Sequence, residues 1–242
     1  MGVDVFREGS VGVVVLNHPE KRNAIRAEVA TAVTRGIHSL LDQQVRAILI
    51  RGEGPAFCAG ADLSGAVYGD DFWPAMRDML HAILDAPVPV IADVQGPAVG
   101  AGCQILLACD LRVFGPDALV WVPLAQHGFA LDFWTHERAR ELMGGAMARN
   151  VFLAGAKVDA QQAAAIGFAT LIGDATTALD FATTVAAQAP LSMEHSKRVF
   201  NSPDLSQQPE LEAQIPGIWA SEDAAEARRA RSEKRAPQFH GR

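Results

Sequence analysis

The first half of the chain alternates short apolar runs with amphipathic segments. Val3–Arg7 and Val11–Asn17 alternate or run apolar around Gly9-Ser10, which predicts two strands joined by a tight turn. Arg26–Asp42 carries apolar residues at helical spacing, and the β-branched run Val45–Arg51 follows it. We therefore predict an amphipathic helix and then a buried strand.

A helix and a strand follow in the same order. Asp71–Asp85 is predicted to be helical because Pro87 and Pro89 end the pattern just beyond it. Val88–Val94 is predicted to be a strand. The other elements predicted in this part are a short buried helix at Gly100–Cys109 and strands at Leu111–Phe114 and Leu119–Val122.

From Asp132 onward the pattern is mostly helical. The predicted helices are Asp132–Met143, Gly145–Leu153, Asp159–Ile166, Thr176–Ala187, Ser192–Phe200 and Glu210–Glu233. Strands with intervening helices, followed by helices alone, are typical of a layered α/β core with a helical extension. We predict a core over residues 1–190 and a C-terminal helical region over residues 191–242.

Length and charge narrow the classes of function. With 242 residues, 49% of them hydrophobic, the chain can bury one large core. Its formal net charge of −7 argues against a basic face for nucleic acid. Six of the 21 Lys and Arg residues lie in Arg228–Arg242, which predicts a local cationic tail on an acidic protein.

Cysteine usage and hydropathy indicate a compartment. Cys58, Cys103 and Cys109 lie in apolar or Gly-rich stretches without metal-ligand spacing. They are typical of small buried residues in a reducing compartment, and we expect no metal site. The N-terminus lacks a charged segment followed by an apolar one, and no stretch reaches about 18 uncharged apolar residues. We expect a cytoplasmic protein without a membrane span.

Two Gly-rich segments carry the candidate chemistry. Gly54–Leu63 follows the run Val45–Ile50, and Gly96–Gln104 follows Val88–Val94. Each segment has small residues where backbone must come close to a ligand. Two such turns predict two main-chain N–H groups that converge on one oxygen, the arrangement that polarises a thioester carbonyl and stabilises its enolate.

Five motifs in a fixed order cover nearly the whole chain. They are Pro19–Ala24, Ala56–Leu63, Gly96–Asp110, Gly128–Asp132 and the helix Ala160–Ala163 leading to Gly167. In this order they resemble the crotonase superfamily, the enoyl-CoA hydratase/isomerase family. The resemblance implies a ClpP/crotonase-like fold, in which a ββα spiral is closed by C-terminal helices and assembles into trimers or dimers of trimers. It also implies a CoA thioester as substrate or ligand, with no other cofactor.

The resemblance also implies a set of site residues. The oxyanion-hole amides map to Ala61 and Ala101. The cations Lys21 and Arg22 match positions near the CoA phosphates, although exposed cations are more often solvated surface. The tail around Lys234 and Phe239 either completes the CoA pocket, on this or a neighbouring subunit, or frays. The full set expected to bind substrate is Lys21, Arg22, Ala24, Ala59, Asp62, Leu63, Gly100, Gln104, Leu124, Phe129, Trp134, Lys234 and Phe239.

Two positions depart from the pattern of the family. The glutamates that position water and move protons in a hydratase of this family map to Gln104 and Leu124. A general base must be able to carry the proton. A neutral amide does not accept a proton near pH 7, and leucine does not even hydrogen-bond. Efficient hydration of an enoyl thioester is therefore not expected.

One carboxylate, Asp132, remains in this region. Its position resembles the active-site aspartate of dienoyl-CoA isomerases and aroyl-CoA dehalogenases, and its apolar neighbours in the sequence suggest a buried carboxylate with a raised pKa. The alternative is an N-cap of the helix that follows, and both roles can coexist. His81 and His127 are weaker candidates for a base. Asp70-Asp71 is typical of a solvated helix N-terminus, with lining of the acyl channel as the alternative.

Three functions stay open from the sequence. The chain looks especially like mycobacterial members that lack both glutamates, which implies a fatty acyl-CoA binder or carrier for lipid metabolism with weak or no hydratase activity. The alternative is an active enoyl-CoA hydratase (a lyase) or an enoyl/dienoyl-CoA isomerase that uses Asp132. The third is a scaffold that no longer binds CoA, against which the intact small-residue turns argue.

Overall fold

The computed structural model describes residues 2–62, 71–202 and 204–242. Its strands are β1 (Val3–Glu8), β2 (Val11–Leu16), β3 (Ala47–Gly52), β4 (Val90–Val94), β5 (Pro97–Val99), β6 (Leu111–Phe114), β7 (Leu119–Trp121), β8 (Val158–Asp159) and β9 (Leu171–Ile172). Its helices are α1 (Ala27–Asp42), α2 (Phe72–Leu84), α3 (Ala101–Ala108), α4 (Leu124–His127), α5 (Phe133–Met143), α6 (Gly145–Ala154), α7 (Ala160–Ala165), α8 (Ala175–Ala186), α9 (Pro190–Asn201), α10 (Pro209–Ala220) and α11 (Glu222–Glu233).

The strands form two sheets. The larger sheet has the order β1-β2-β3-β4-β6-β9, in which β1 is antiparallel to β2 and the other pairs are parallel. The smaller sheet has the order β5-β7-β8. Parallel strands that are covered on both faces are apolar throughout, and all six residues of β2 are buried.

Helices cover both faces of the large sheet. One face packs against α1, α2 and α3, and this layer holds most of the core. The other face carries Val11, Val13 and Val15 and packs against alanines of α8. Because side chains alternate along a strand, each strand supplies both layers. This layered arrangement confirms the predicted α/β fold, and no helix in the described ranges is long and apolar enough to cross a membrane.

The predicted helix Glu210–Glu233 is wrong in one respect. The helix is interrupted at Ser221, which is the N-cap of α11. The Ser221 hydroxyl accepts a hydrogen bond from Ala224 N at 3.1 Å. A serine side chain competes with the helix for backbone partners and so favours a new helix start. The short strand β5, inside the second Gly-rich turn, was also not predicted.

A buried ion pair ties α9 to the core. Lys197 Nζ lies 2.8 Å from Asp110 Oδ2 and also donates to the carbonyl oxygens of Ile83 at 2.8 Å and Val88 at 3.1 Å. Asp110 also accepts from Val90 N at 2.7 Å. All three ammonium protons therefore have acceptors, which is the condition under which a buried charge is tolerated.

The C-terminal tail folds back onto α11. Two buried carboxylates hold it, because Asp223 accepts from the backbone N–H groups of His240 and Gly241, and Glu226 accepts from Gln238 N. Hydrogen bonds from the side chain of Arg235 lower the pKa of Glu226 most. Three of the six cations of the predicted tail, Arg229, Arg235 and Arg242, thus form ion pairs with glutamates of α11.

One of the residues buried in the large sheet is acidic. Asp93 on β4 accepts a hydrogen bond from Gln95 Nε2 at 2.5 Å, but within the described residues its Oδ2 has no partner. Burial raises the pKa of Asp93, and the hydrogen bond from Gln95 and the charge of Arg51 only partly oppose this. The folded state therefore binds the proton of this side chain more tightly than the unfolded state does.

Substitution Lys197→Met should lower the free energy of unfolding by about 3 kcal/mol, because it leaves the Asp110 carboxylate, whose side chain is 19% exposed, without its cation. The matched control Lys157→Met removes an exposed lysine whose ammonium lies 5.0 Å from the Trp121 ring. That change should cost at most about 1 kcal/mol. Urea unfolding measures both values, and equal losses would contradict the anchoring role of the buried pair.

Substitution Asp93→Asn should raise the melting temperature at neutral pH. Because the native pKa of Asp93 is raised, the native chain keeps a proton that the unfolded chain releases above about pH 4. The wild type is therefore destabilised as pH rises through that window, whereas the variant is not. Calorimetry from pH 4 to pH 7 should show a gap that opens with pH, and a constant gap would refute this account.

Candidate ligand-binding site

The first turn, Cys58–Asp62, follows β3 and is held against Ile25. Ile25 N donates to Gly60 O at 2.8 Å, and Asp62 N donates to Ile25 O at 2.9 Å. In such a parallel bridge the central residue, Ala61, directs its own N–H away from Ile25. Within the part of the chain that the structure describes, this N–H donates no backbone hydrogen bond, and it points to the other side of the turn.

The second turn runs from β5 into α3 and contacts the first turn directly. Cys58 N donates to Pro97 O at 3.1 Å, and Val99 N donates to Cys58 O at 2.9 Å. A Cβ added at Gly102 would lie 2.5 Å from Cys58 O, and one added at Gly60, where φ is +100°, would lie 3.0 Å from Val99 O. Only glycine permits this approach, so the small residues of the motif serve backbone contact.

Two side chains hold the first turn in place. Asn23 is 2% exposed, and its amide donates to Glu53 O at 2.9 Å and Ala56 O at 2.8 Å. Arg26 donates to the same oxygen of Asp62 from Nε at 2.6 Å and Nη2 at 2.5 Å. The ion pair between Arg26 and Asp62 therefore stabilises the first turn.

A cavity of about 550 Å³ opens beside the two turns. Its lining is mostly apolar, and among the described lining residues the only titratable side chain is His127. The residues that line it are Ala59, Gly60, Ala61, Phe72, Trp73, Val99, Gly100, Ala101, Gln104, Trp121, Val122, Pro123, Leu124, His127, Gly128, Phe129, Ala130 and Leu131. An apolar cavity with a few convergent polar groups is the usual form of a small-molecule site.

Comparison with known proteins agrees with this geometry. The profile of the enoyl-CoA hydratase/isomerase family matches residues 7–242. The chain belongs to this family. The probable enoyl-CoA hydratase echA6 of Mycobacterium tuberculosis is 38% identical over 242 residues, which are 99% of each chain. The crystal structure of an enoyl-CoA hydratase/carnithine racemase from Magnetospirillum magneticum has a TM-score of 0.89 at 26% identity, and the match covers 100% of this chain and 96% of that one.

A second mycobacterial relative extends the similarity. The probable enoyl-CoA hydratase echA14 of Mycobacterium tuberculosis is 34% identical over 237 residues, which cover 89% of this chain and 91% of that protein. Both relatives align over most of their length, so the family resemblance drawn from the five motifs is confirmed.

Seven of the predicted site residues line the cavity: Ala59, Ala61, Gly100, Ala101, Gln104, Leu124 and Phe129. Trp134 packs against the core instead. Lys21 and Arg22 are exposed and Ala24 is half-buried, in the segment that leads to Ile25. Leu63 and Asp70 lie outside the described residues.

The tail residues Lys234 and Phe239 do not line the cavity of their own chain. Arg46, just before β3, donates to Phe239 O at 3.0 Å, whereas the first turn follows the other end of β3. A six-residue strand spans roughly 20 Å. Lys234 ends α11, on which the tail is folded. A contribution of these residues to the cavity of a neighbouring subunit stays a prediction.

Asp132 is an N-cap, as one of its two interpretations predicted. Its Oδ1 accepts from Thr135 N at 2.7 Å at the start of α5. The residue is exposed, and Phe133 beside it is 80% exposed, so the predicted burial of this carboxylate is wrong. Its apolar neighbours in the sequence do not bury it, because Phe133 is itself exposed and Trp134 packs against the core.

Gln104 connects this cap to the cavity. Its side-chain Nε2 donates to Thr135 Oγ1 at 2.8 Å and lies 3.4 Å from Asp132 Oδ2. Sequence reasoning missed Thr135, because its contact with Gln104 joins residues 31 positions apart in the chain.

The other groups considered for proton transfer or nucleophilic attack are His81, His127 and Cys58. His81 on α2 lies away from the cavity lining and 3.5 Å from Asp85. His127 lines the cavity but stacks on Phe129, with ring centroids 5.7 Å apart. Burial raises the pKa of the Cys58 thiol to about 12, so it is not a thiolate near neutral pH.

Substitution Gly102→Ala should destabilise the protein by about 1–3 kcal/mol, because the added methyl group would push the two turns apart. Gly217 on exposed α10 is the matched control, since nothing lies within 4 Å of a Cβ there. Gly217→Ala should be neutral or stabilise by up to about 1 kcal/mol. Thermal unfolding compares the two variants, and a neutral Gly102→Ala would show that the turns are not in tight contact.

Proposed function

We propose that the chain binds a fatty acyl-CoA thioester between the two turns and does not hydrate it efficiently. The observation that carries this proposal is the direct backbone contact of the two turns beside an apolar cavity. The N–H groups of Ala61 and Ala101 donate to the thioester oxygen, because preorganised backbone donors stabilise charge on such an oxygen. The names of the relatives, all enoyl-CoA hydratases, support a CoA ester as the ligand class.

The acyl chain occupies the apolar cavity against Leu124 and Phe129. Each CH₂ removed from water contributes about 0.8 kcal/mol, so the cavity favours a fatty chain over a short one. The CoA moiety leaves along Ala59, toward the exposed cations Lys21 and Arg22 near the first turn. Two local cations suit a phosphate group on a chain whose overall charge is negative.

Among the described residues, the two positions that carry glutamates in a hydratase of this family supply no base. Gln104 has committed its amide protons to Thr135 and Asp132, and the side chain of Leu124 has no polar atom. A water molecule beside the acyl chain would therefore lack that pair of carboxylates, and general acid–base catalysis contributes about 10²–10⁴-fold in rate. We infer a role as an acyl-CoA binder or carrier in lipid metabolism.

A second candidate is an isomerase that moves a single proton with Asp132. The contact between Gln104 and Asp132 favours it, because it brings a carboxylate to the edge of the site. Its exposure to solvent in the single chain argues against it as a strong base. Turnover of a dienoyl-CoA that is lost in Asp132→Asn would support the isomerase.

The same proposal includes a homotrimer or a dimer of trimers. The helical region that begins near Pro190 exposes Phe200 (72%) and Trp219 (71%) in the single chain. We expect both side chains to lie in the interface between subunits, where association would bury their apolar surface.

Long-chain acyl-CoA should bind in isothermal titration calorimetry, while free CoA should bind weakly. Affinity should rise by up to about fourfold for each added CH₂. Crotonyl-CoA should keep its enoyl absorbance in the presence of the protein. Rapid loss of that absorbance would reject the binder, and no binding of any CoA ester would favour a scaffold.

Substitution Ala101→Pro tests the proposed amide. Ala101 is the first residue of α3, where proline is tolerated, and its ring replaces the N–H in question with a methylene group that cannot donate. We expect about fivefold weaker binding of acyl-CoA. An arylacryloyl-CoA bound to the wild type should absorb at a longer wavelength than the free ester, and this red shift should be lost in the variant. The matched control Ala175→Pro, at the first residue of α8, should change neither. An unchanged red shift in Ala101→Pro would reject this donor.

A further inference from the structure

A buried carboxylate lies where the large sheet leads into the two turns. Asp93 and Arg51 are register partners, and each is the residue before the last of its strand, β4 and β3. Asp93 is 1% exposed, and within the described residues its Oδ2 and the Nε of Arg51 are buried without a hydrogen-bond partner. An ionised carboxylate that is buried with one oxygen unpaired is costly, so this position favours a protonated side chain.

The charges around Asp93 come from two of the elements that pack against it. Strand β3 contributes the cation of Arg51, and α8 contributes the carboxylate of its N-cap, Asp174. The register partner on β6 is apolar. Gln95 Nε2 connects the strand end to α8, because it donates to Asp93 Oδ1 at 2.5 Å and to Gly173 O at 3.2 Å. Burial raises the pKa of Asp93 most, and the charge of Asp174 adds to this effect.

The same strand ends are packed tightly against the segment that leads into the first turn. A Cβ added at Gly96, three residues after Asp93, would lie 2.3 Å from Pro55 O. A Cβ added at Gly52, at the end of β3, would lie 2.4 Å from Phe57 O. Groups packed this closely transmit a displacement to one another. Water that enters to solvate an ionised Asp93 therefore changes the spacing of the two turns.

We propose that Asp93 couples the binding of acyl-CoA between the two turns to the uptake of a proton. The ligand holds the turns together, in the arrangement that encloses Asp93 in its protonated form. Without the ligand, the strand ends separate far enough for water to reach the carboxylate, which then ionises. Binding and protonation favour the same arrangement, so each strengthens the other. The inference rests on the proposed function and adds to it a response to pH from a residue outside the cavity.

Affinity for acyl-CoA should therefore fall as the pH rises. The pKa of Asp93 is raised when the residue is enclosed and returns toward its ordinary value when it is hydrated. The open form thus loses its proton first, at about pH 4, whereas the enclosed form keeps it to higher pH. Between these two pKa values the affinity falls, by at most about tenfold for each pH unit.

The test is isothermal titration with dodecanoyl-CoA in buffers of different ionisation enthalpy, which measures affinity and proton uptake together. From about pH 5 to about pH 7 the wild type should lose about fivefold in affinity and take up protons on binding. Asp93→Asn should take up fewer protons and lose less affinity. Protons exchanged by His127 or by the CoA phosphates are common to both proteins and cancel in the difference. The matched control Asp180→Asn, at an exposed carboxylate on α8, should behave as the wild type.

Two charge variants should shift the proton uptake in opposite directions. Asp174→Asn removes a charge that raises the pKa of Asp93, and asparagine still caps α8. Arg51→Gln removes a charge that lowers it. At about pH 6 the uptake should therefore decrease in Asp174→Asn and increase in Arg51→Gln, a pattern that a loss of stability alone does not produce.

Equal proton uptake by the wild type and Asp93→Asn overturns the inference alone, and so does a change of the same sign in both charge variants. Absence of dodecanoyl-CoA binding at every pH overturns the proposed function with it.

Discussion

The contact between the backbones of two tight turns is the constraint on which this site depends. Cys58 pairs with β5 on one side, and the missing side chain of Gly102 lets α3 approach its carbonyl oxygen. Both partners are main chain, so the contact is insensitive to rotamers and costs little entropy when a ligand arrives. Residues of both turns line the cavity, so the contact between them shapes it. The same contact positions the start of α3.

The cavity and the contacts that anchor the C-terminal region lie at opposite ends of the strands of the large sheet. The turns follow the carboxyl ends of β3 and β4, where open α/β sheets commonly bind ligands. The opposite ends carry the Lys197–Asp110 pair and the site at which Arg46 holds the tail. The contacts that anchor the C-terminal region thus lie away from the cavity. Substitutions in the cavity lining should therefore leave these contacts in place.

Local patterns predicted most of the fold, and they failed where tertiary contacts decide. The apolar run of β2 and the helical spacing of α1 are properties of neighbouring residues, and both elements were confirmed. The break at Ser221 was missed because periodicity continues across it. The fold-back of the tail depends on buried Asp223 and Glu226, whose partners lie 12 to 18 residues away. Likewise Gln104 was recognised from the motif, but its link to Thr135 spans 31 residues and leaves no local signal.

The capping aspartate has a consequence for how this site can evolve. A single change of Gln104 to glutamate would set a second carboxylate about where the amide now contacts Asp132, at 3.4 Å. Two carboxylates so close raise the pKa of one of them. A glutamate at position 104 would therefore titrate together with Asp132 and not as an independent base. With a neutral cap such as serine at position 132, the same glutamate would titrate alone, so the residue that starts α5 also sets the proton chemistry available at position 104.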